Sequence, residues 1–149
     1  MHKRSYGREH GASAVEFALI LPLLVVLVFG IIEFGLAFTR SQAMQAAARE
    51  GGRVAAIGLS AQDVQDAVRD AVGPVGIDSG DVAVCVDDGT GTVCSNGDFC
   101  AEAGDTVRVV ASIRPEATAT YGVRIPFLPA GNSTFRAQAL FRCETEQGG

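Results

Sequence analysis

The sequence has no tryptophan and one lysine, and its only two histidines, His2 and His10, both precede Gly11. Everything after Gly11 is without imidazole. That excludes Ser-His-Asp and Cys-His nucleophilic schemes there, and histidine metal sites with them. The four cysteines contain no C-x-x-C, so their spacing supports neither a zinc site nor a thioredoxin-like redox site. The acidic run Asp87-Asp88-Gly89-Thr90-Gly91-Thr92 lacks the D-x-D-x-D-G spacing and closing glutamate of a calcium loop, and reads as a hairpin turn. No catalytic group, metal or cofactor is expected, and the chain reads as no enzyme. Basic residues are also scarce downstream. After Phe38 nine arginines face fourteen acids, a balance of about −5 that argues against a nucleic-acid partner.

What the chain does have is a long apolar run. From Phe17 to Phe38 it is interrupted by one charge, Glu33, and one proline, Pro22. As a helix it would measure roughly 33 Å, enough for a hydrocarbon core of about 30 Å. It exceeds the 7–15 or so residues usual for a signal-peptide h-region, and no small-residue cleavage site directly follows it. The expectation is a retained single-pass anchor. The leader before it carries Lys3, Arg4 and Arg8. Arg40, Arg49 and Arg53 follow the run closely, so flanking charge alone does not orient it. Glu16 stands at its entrance. A charge there is costly unless it is used, or unless it lies among headgroups and is favoured by the positive end of the helix dipole. Pro22 lacks its N–H and should kink or loosen the helix. Glu33, about one turn from the outer edge, either snorkels to the interface or makes a second helix–helix contact.

Cys85, Cys94, Cys100 and Cys143 all lie beyond the anchor, an even number that reads as two disulfides in an exported domain. The short polar loop favours Cys94–Cys100, leaving Cys85–Cys143. Strand parity opposes the second pair: Cys85 alternates against Val82, Val84 and Val86, whereas Cys143 shares a face with Phe141. The alanine-rich stretch from Thr39 to about Gly58 continues the anchor as a stalk. Gly51-Gly52 marks a bend or a close packing contact, and Gly58 is a candidate C-cap. Ser60-Ala-Gln-Asp63 resembles a capping box that opens a helix with an apolar stripe on Val64, Ala67, Val68, Ala71 and Val72. Beyond Pro74 the period becomes two. Strands are expected at 81–86, near 92–94, at 106–113 and at 134–143, with a long irregular connection from Arg114 to Ser133. The fold class is α+β: a long N-terminal transmembrane and stalk helix, a second short helix, and an antiparallel sheet of three or four strands stapled by disulfides. The domains read as a leader (1–11), anchor and stalk (12–58) and exported head (59–149).

Three stretches carry a resemblance. Gly11-Ala-Ser-Ala-Val-Glu16-Phe17-Ala-Leu-Ile-Leu-Pro22, then Phe29-Gly30-Ile-Ile-Glu33-Phe34-Gly35, then Ala47-Ala48-Arg49-Glu50-Gly51-Gly52-Arg53 together resemble the TadE-like pseudopilins, minor pilin-like proteins of bacterial tight-adherence (Flp, type IVc) pilus systems. Beyond Gly58 the likeness is one of layout, including Pro126–Pro129. The resemblance implies cleavage by a prepilin peptidase between Gly11 and Ala12, with Glu16 fifth and Phe17 sixth after the cut. It also implies partners among other pilins, pseudopilins and the pilus assembly machinery, and residence in the bacterial cell membrane with the head outside the cytoplasm. Cleavage would free the amine of Ala12 one helical turn before Glu16, so that the carboxylate of one subunit meets the amine of its neighbour. Glu16, Phe17, Pro22 and Glu33 are the assembly candidates. The competing reading is a membrane-anchored exported binding module that never enters a filament.

Overall fold

The computed structural model describes residues 9–94, 96–125, 131 and 134–145. The basic residues Lys3, Arg4 and Arg8, the Pro126–Pro129 segment and the end of the tail lie outside the described residues. The described chain runs α1 (Glu9–Ala56), α2 (Ala61–Val72), β1 (Val82–Asp87), β2 (Thr106–Ile113) and β3 (Arg136–Arg142), with short 3-10 turns at Gly73–Val75, Ser79–Asp81 and Pro115–Ala117.

One helix, α1, contains both the apolar run and the alanine-rich stretch after it, and it is long and apolar enough to cross a membrane. Its lower part, from Val15 to Phe38, is apolar apart from Glu16 and Glu33, and most of its large side chains are exposed. This is the mark of a helix made for lipid or for other helices. Pro22 sits inside α1 without ending it, although its ring removes the N–H that would reach the carbonyl of Ala18. The upper part is one-sided. Met44, Ala47, Ala48, Val54 and Ala55 are buried at helical spacing. Their small size lets the helix axis approach the sheet closely.

Gly51 and Gly52 make that approach possible. A methyl group on Gly51 would run into Val68 of α2 and crowd Val109 of β2, and one on Gly52 would run into the ring of Phe141 of β3. The pair is a packing contact, and the helix stays regular through it. Gly58, in the left-handed region at φ 79°, closes the end by donating its N–H to the carbonyl of Ala55.

Helix α2 begins at the expected capping box. Ser60 Oγ accepts the N–H of Asp63, and Asp63 Oδ2 accepts the N–H of Ser60. A cap of this kind contributes about 1 kcal/mol. Val64, Val68 and Val72 are fully buried against α1 and the sheet.

The sheet is an antiparallel meander in the order β1-β2-β3. Val86, Val109 and Ala139 lie side by side across it. Period two puts Val82, Val84 and Val86 with Val107, Val109, Ala111 and Ile113 on the face that meets the helices. The fourth strand anticipated near 92–94 does not form. That segment is irregular and is held beside β1 by side-chain contacts: Asn96 Oδ1 accepts the N–H of Val86, a donor on the outer edge of the sheet.

The disulfides are Cys85–Cys94 and Cys100–Cys143, which corrects both expected pairs, Cys94–Cys100 and Cys85–Cys143. Parity is the reason. Cys143 and Cys100 are buried on the helix side of the sheet, while Cys85 points to the opposite face, where residues 88–94 bring Cys94 to it.

Candidate functional site

The residues singled out in the sequence fall into two groups along α1. Gly11, Ala12, Glu16 and Phe17 occupy its first turns. All four are exposed, and a Cβ placed on Gly11 would meet nothing within 4 Å. The Gly11–Ala12 bond lies within the helical backbone near the start of α1. Ala12 and Glu16 are four residues apart on continuous helix, so they share one face, stacked a turn apart. Among the described residues, no part of the head covers them. Pro22 follows on the exposed helix.

Glu33 forms the second group and behaves differently. It is half-buried, and its Oε2 accepts the backbone N–H of Arg124 at 3.2 Å. Residues 114–125 therefore form a strap that reaches down from β2 and docks on α1. Two turns above Glu33, the Arg40 guanidinium lies over the ring of Tyr121, 5.4 Å from its centre. Tyr121 is buried; its hydroxyl donates to Asp81 Oδ2 at 2.7 Å and accepts the N–H of Asp78 at 2.9 Å. Removal from water, first of all, raises its pKa above the ordinary value. Neither expectation for Glu33, snorkelling or contact with another helix, included this bond within the chain. The sequence held one clue. Arg40 lies seven residues after Glu33, on the same helix face.

The head's outer face is closed by polar chemistry. Arg108 grips Asp87 with two hydrogen bonds, 2.9 and 2.7 Å, and donates a third, 2.7 Å, to the carbonyl of Gly91. The Asp87 carboxylate, above all through these hydrogen bonds, raises the pKa of Arg108. The acidic turn is a structural lock: Asp88 accepts from the N–H and hydroxyl of Thr90, which lowers its pKa. Cys85, Asp87 and Cys94 lie close enough to suggest a ligand set. The two sulfurs are bonded to each other and the carboxylate is held by Arg108, so these groups are already committed. A cavity of about 450 Å³ opens on this face beside Cys85–Cys94, lined by Val93, Val110 and Phe135 among others.

Residues 11–53 match the family model described as TadE-like protein. No curated protein and no solved structure matches the chain. The matched segment contains the Gly11–Ala12 bond, Glu16, Pro22, Glu33 and the packing glycines. Over this segment, which lies within one helix long and apolar enough to cross a membrane, the chain is similar to the TadE-like proteins.

Proposed function

We propose that this protein is a minor pseudopilin that takes part in assembling, priming or capping a tight-adherence pilus, and that its role is structural and not enzymatic. The observation that carries this reading is the coincidence of the TadE-like match with an exposed, continuous α1 from Gly11 upward. A prepilin peptidase cuts the chain between Gly11 and Ala12 at the cytoplasmic edge of the membrane. The new Ala12 ammonium then pairs with Glu16 of a neighbouring pilin or pseudopilin. Two charges that are each costly in lipid offset one another only in the correct stagger, so Glu16 sets register as the assembly machinery adds the subunit. The large stapled head stays outside the cytoplasm.

Intact mass of the protein from cells that carry the peptidase tests this. The expected mature N-terminus is Ala12, and Gly11→Leu is expected to leave the leader in place, because a bulky side chain replaces the small residue before the cut. A mature protein that begins at Met1, or after Ala48, overturns the prepilin reading.

A further inference from the structure

The bond between Glu33 and the strap fixes a level on α1, and that level has a consequence for the membrane. Below Glu33 the helix carries no charge until Glu16, and its large side chains are exposed apart from the half-buried Val25 and Val26. From Ala12 to Ile32 it measures roughly 32 Å, close to a hydrocarbon core of about 30 Å. At Glu33 the backbone N–H of Arg124 lies against the helix, and two turns higher Tyr121 packs on Arg40. Backbone of this irregular kind is not stable in contact with hydrocarbon. The hydrocarbon must therefore end at or just below Glu33, about one and a half turns lower than the Phe17–Phe38 run indicates.

Other residues at this level suit a lipid–water boundary. Phe34, Leu36 and Phe38 are exposed, and the Thr39 hydroxyl is satisfied inside the helix by the carbonyl of Gly35 at 2.9 Å. Two cations are present as well. Arg124 is exposed on the strap. Arg40, stacked on Tyr121, has a buried Nε without a hydrogen-bond partner among the described residues.

We infer that the strap is a membrane seat: residues 119–125 rest on the outer leaflet of the membrane that α1 crosses, with Arg124 and Arg40 facing lipid phosphates. The occupant is the anionic bilayer surface, which attracts cations within a Debye length and adds to the apolar fit of Phe34 and Phe38. The inference rests on the single-pass anchor and not on the pilus role. It also places Glu16 about a turn above the inner boundary, within the hydrocarbon, where an ammonium partner matters most.

The absence of tryptophan makes the test clean. Single reporters are placed in the full chain as Leu24→Trp, Phe34→Trp and Thr120→Trp, all at exposed positions, with Ala119→Trp as a second strap reporter. Each is reconstituted into nanodiscs containing phosphatidylglycerol, with lipids brominated either near the glycerol or deep in the acyl chain. Deep bromines are expected to quench Leu24→Trp. Shallow bromines are expected to remove at least half the emission of Phe34→Trp and of both strap reporters. Adding Arg124→Glu to Thr120→Trp is expected to cut the strap quenching by half or more. Strap reporters that stay open to aqueous iodide and insensitive to bromine, while Leu24→Trp is quenched, overturn the seat and leave the anchor standing. Loss of Leu24→Trp quenching overturns the anchor itself, and the seat with it. Strap quenching unchanged by Arg124→Glu overturns the phosphate contact.

Discussion

A single missing methyl group at Gly51 lets α1, α2 and β2 meet. Replacing glycine by alanine in a helix ordinarily gains about 1 kcal/mol. At Gly51 the new Cβ would run into Val68, with Val64 and Val109 also close, and all three are fully buried on two different elements. Overpacking of this kind costs about 1–3 kcal/mol, so the clash outweighs the propensity gain. Gly51→Ala is expected to lower the thermal midpoint of the full chain in micelles. Gly52→Ala meets the ring of Phe141, which is only partly buried and can swing outward, so its change is expected to be smaller. A Gly52→Ala protein less stable than Gly51→Ala would contradict this ranking.

Tyr121 gives the head an alkaline limit. Desolvation first, and the nearby Asp81 and Asp78 carboxylates after it, make the folded hydroxyl hold its proton above the ordinary value, against the pull of the Asp78 N–H. A group whose folded pKa is raised contributes stability that is complete below its unfolded value of about 10 and fades as the pH rises through the folded one. Stability is therefore expected to fall above about pH 10, in step with tyrosinate absorbance. Tyr121→Phe should remove that part of the pH dependence. An unchanged alkaline profile in Tyr121→Phe would assign the loss to other groups.

Among the elements, the two disulfides do unequal work. Cys100–Cys143 closes a separation of 43 residues, and Cys85–Cys94 one of 9. Chain entropy alone assigns about 4 kcal/mol to the longer loop and about 2.6 kcal/mol to the shorter. Replacing Cys100 and Cys143 together by alanine is expected to destabilise the head more than replacing Cys85 and Cys94. A non-reduced digest should yield these two linked pairs; a Cys94–Cys100 peptide would refute the connectivity.

The disulfides also mark how far sequence reading reached. Elements set by local chemistry were legible: the Ser60–Asp63 box, the Val64–Val68–Val72 stripe, the alternation from Thr106 to Ile113. The parity of Cys85 against Cys143 was legible too, and it already opposed the pairing that loop length favoured. What could not be read was the path of irregular backbone. Cys94 and Asn96 lie at the outer face because they have partners there, and the strap descends to Glu33 because one backbone N–H meets one carboxylate across 91 positions. Neither leaves a period in the sequence. In the candidate site, the small and acidic residues from Gly11 to Glu16 were identifiable by type and spacing, whereas the role of Glu33 depended on that distant contact.

For the molecule as a whole, Glu16→Ala separates insertion from assembly. Removing a charge from the anchor eases insertion, and the cleavage bond is untouched, so a mature protein in the membrane is expected. Its crosslinking to partner pilins should be lost, since the neighbour's Ala12 ammonium has nothing to pair with. Glu33→Ala, whose partner lies in its own chain, should associate more nearly normally. Full association of Glu16→Ala would leave Glu16 as a tolerated charge with no part in register.

Because α1 runs unbroken from the apolar run into the core of the head, the two turn together. The compass bearing of the head around the helix axis is dictated by the phase of the anchor. One residue inserted after Gly30 turns everything above it by about 100° and raises it about 1.5 Å. Seven inserted residues restore the bearing to within about 20° but lift the head by about 10 Å. If neighbours recognise the head by its bearing, the single insertion should abolish crosslinking while the sevenfold one, despite its greater length, retains part of it. The reverse order would mean that height, and not azimuth, is what the neighbours measure.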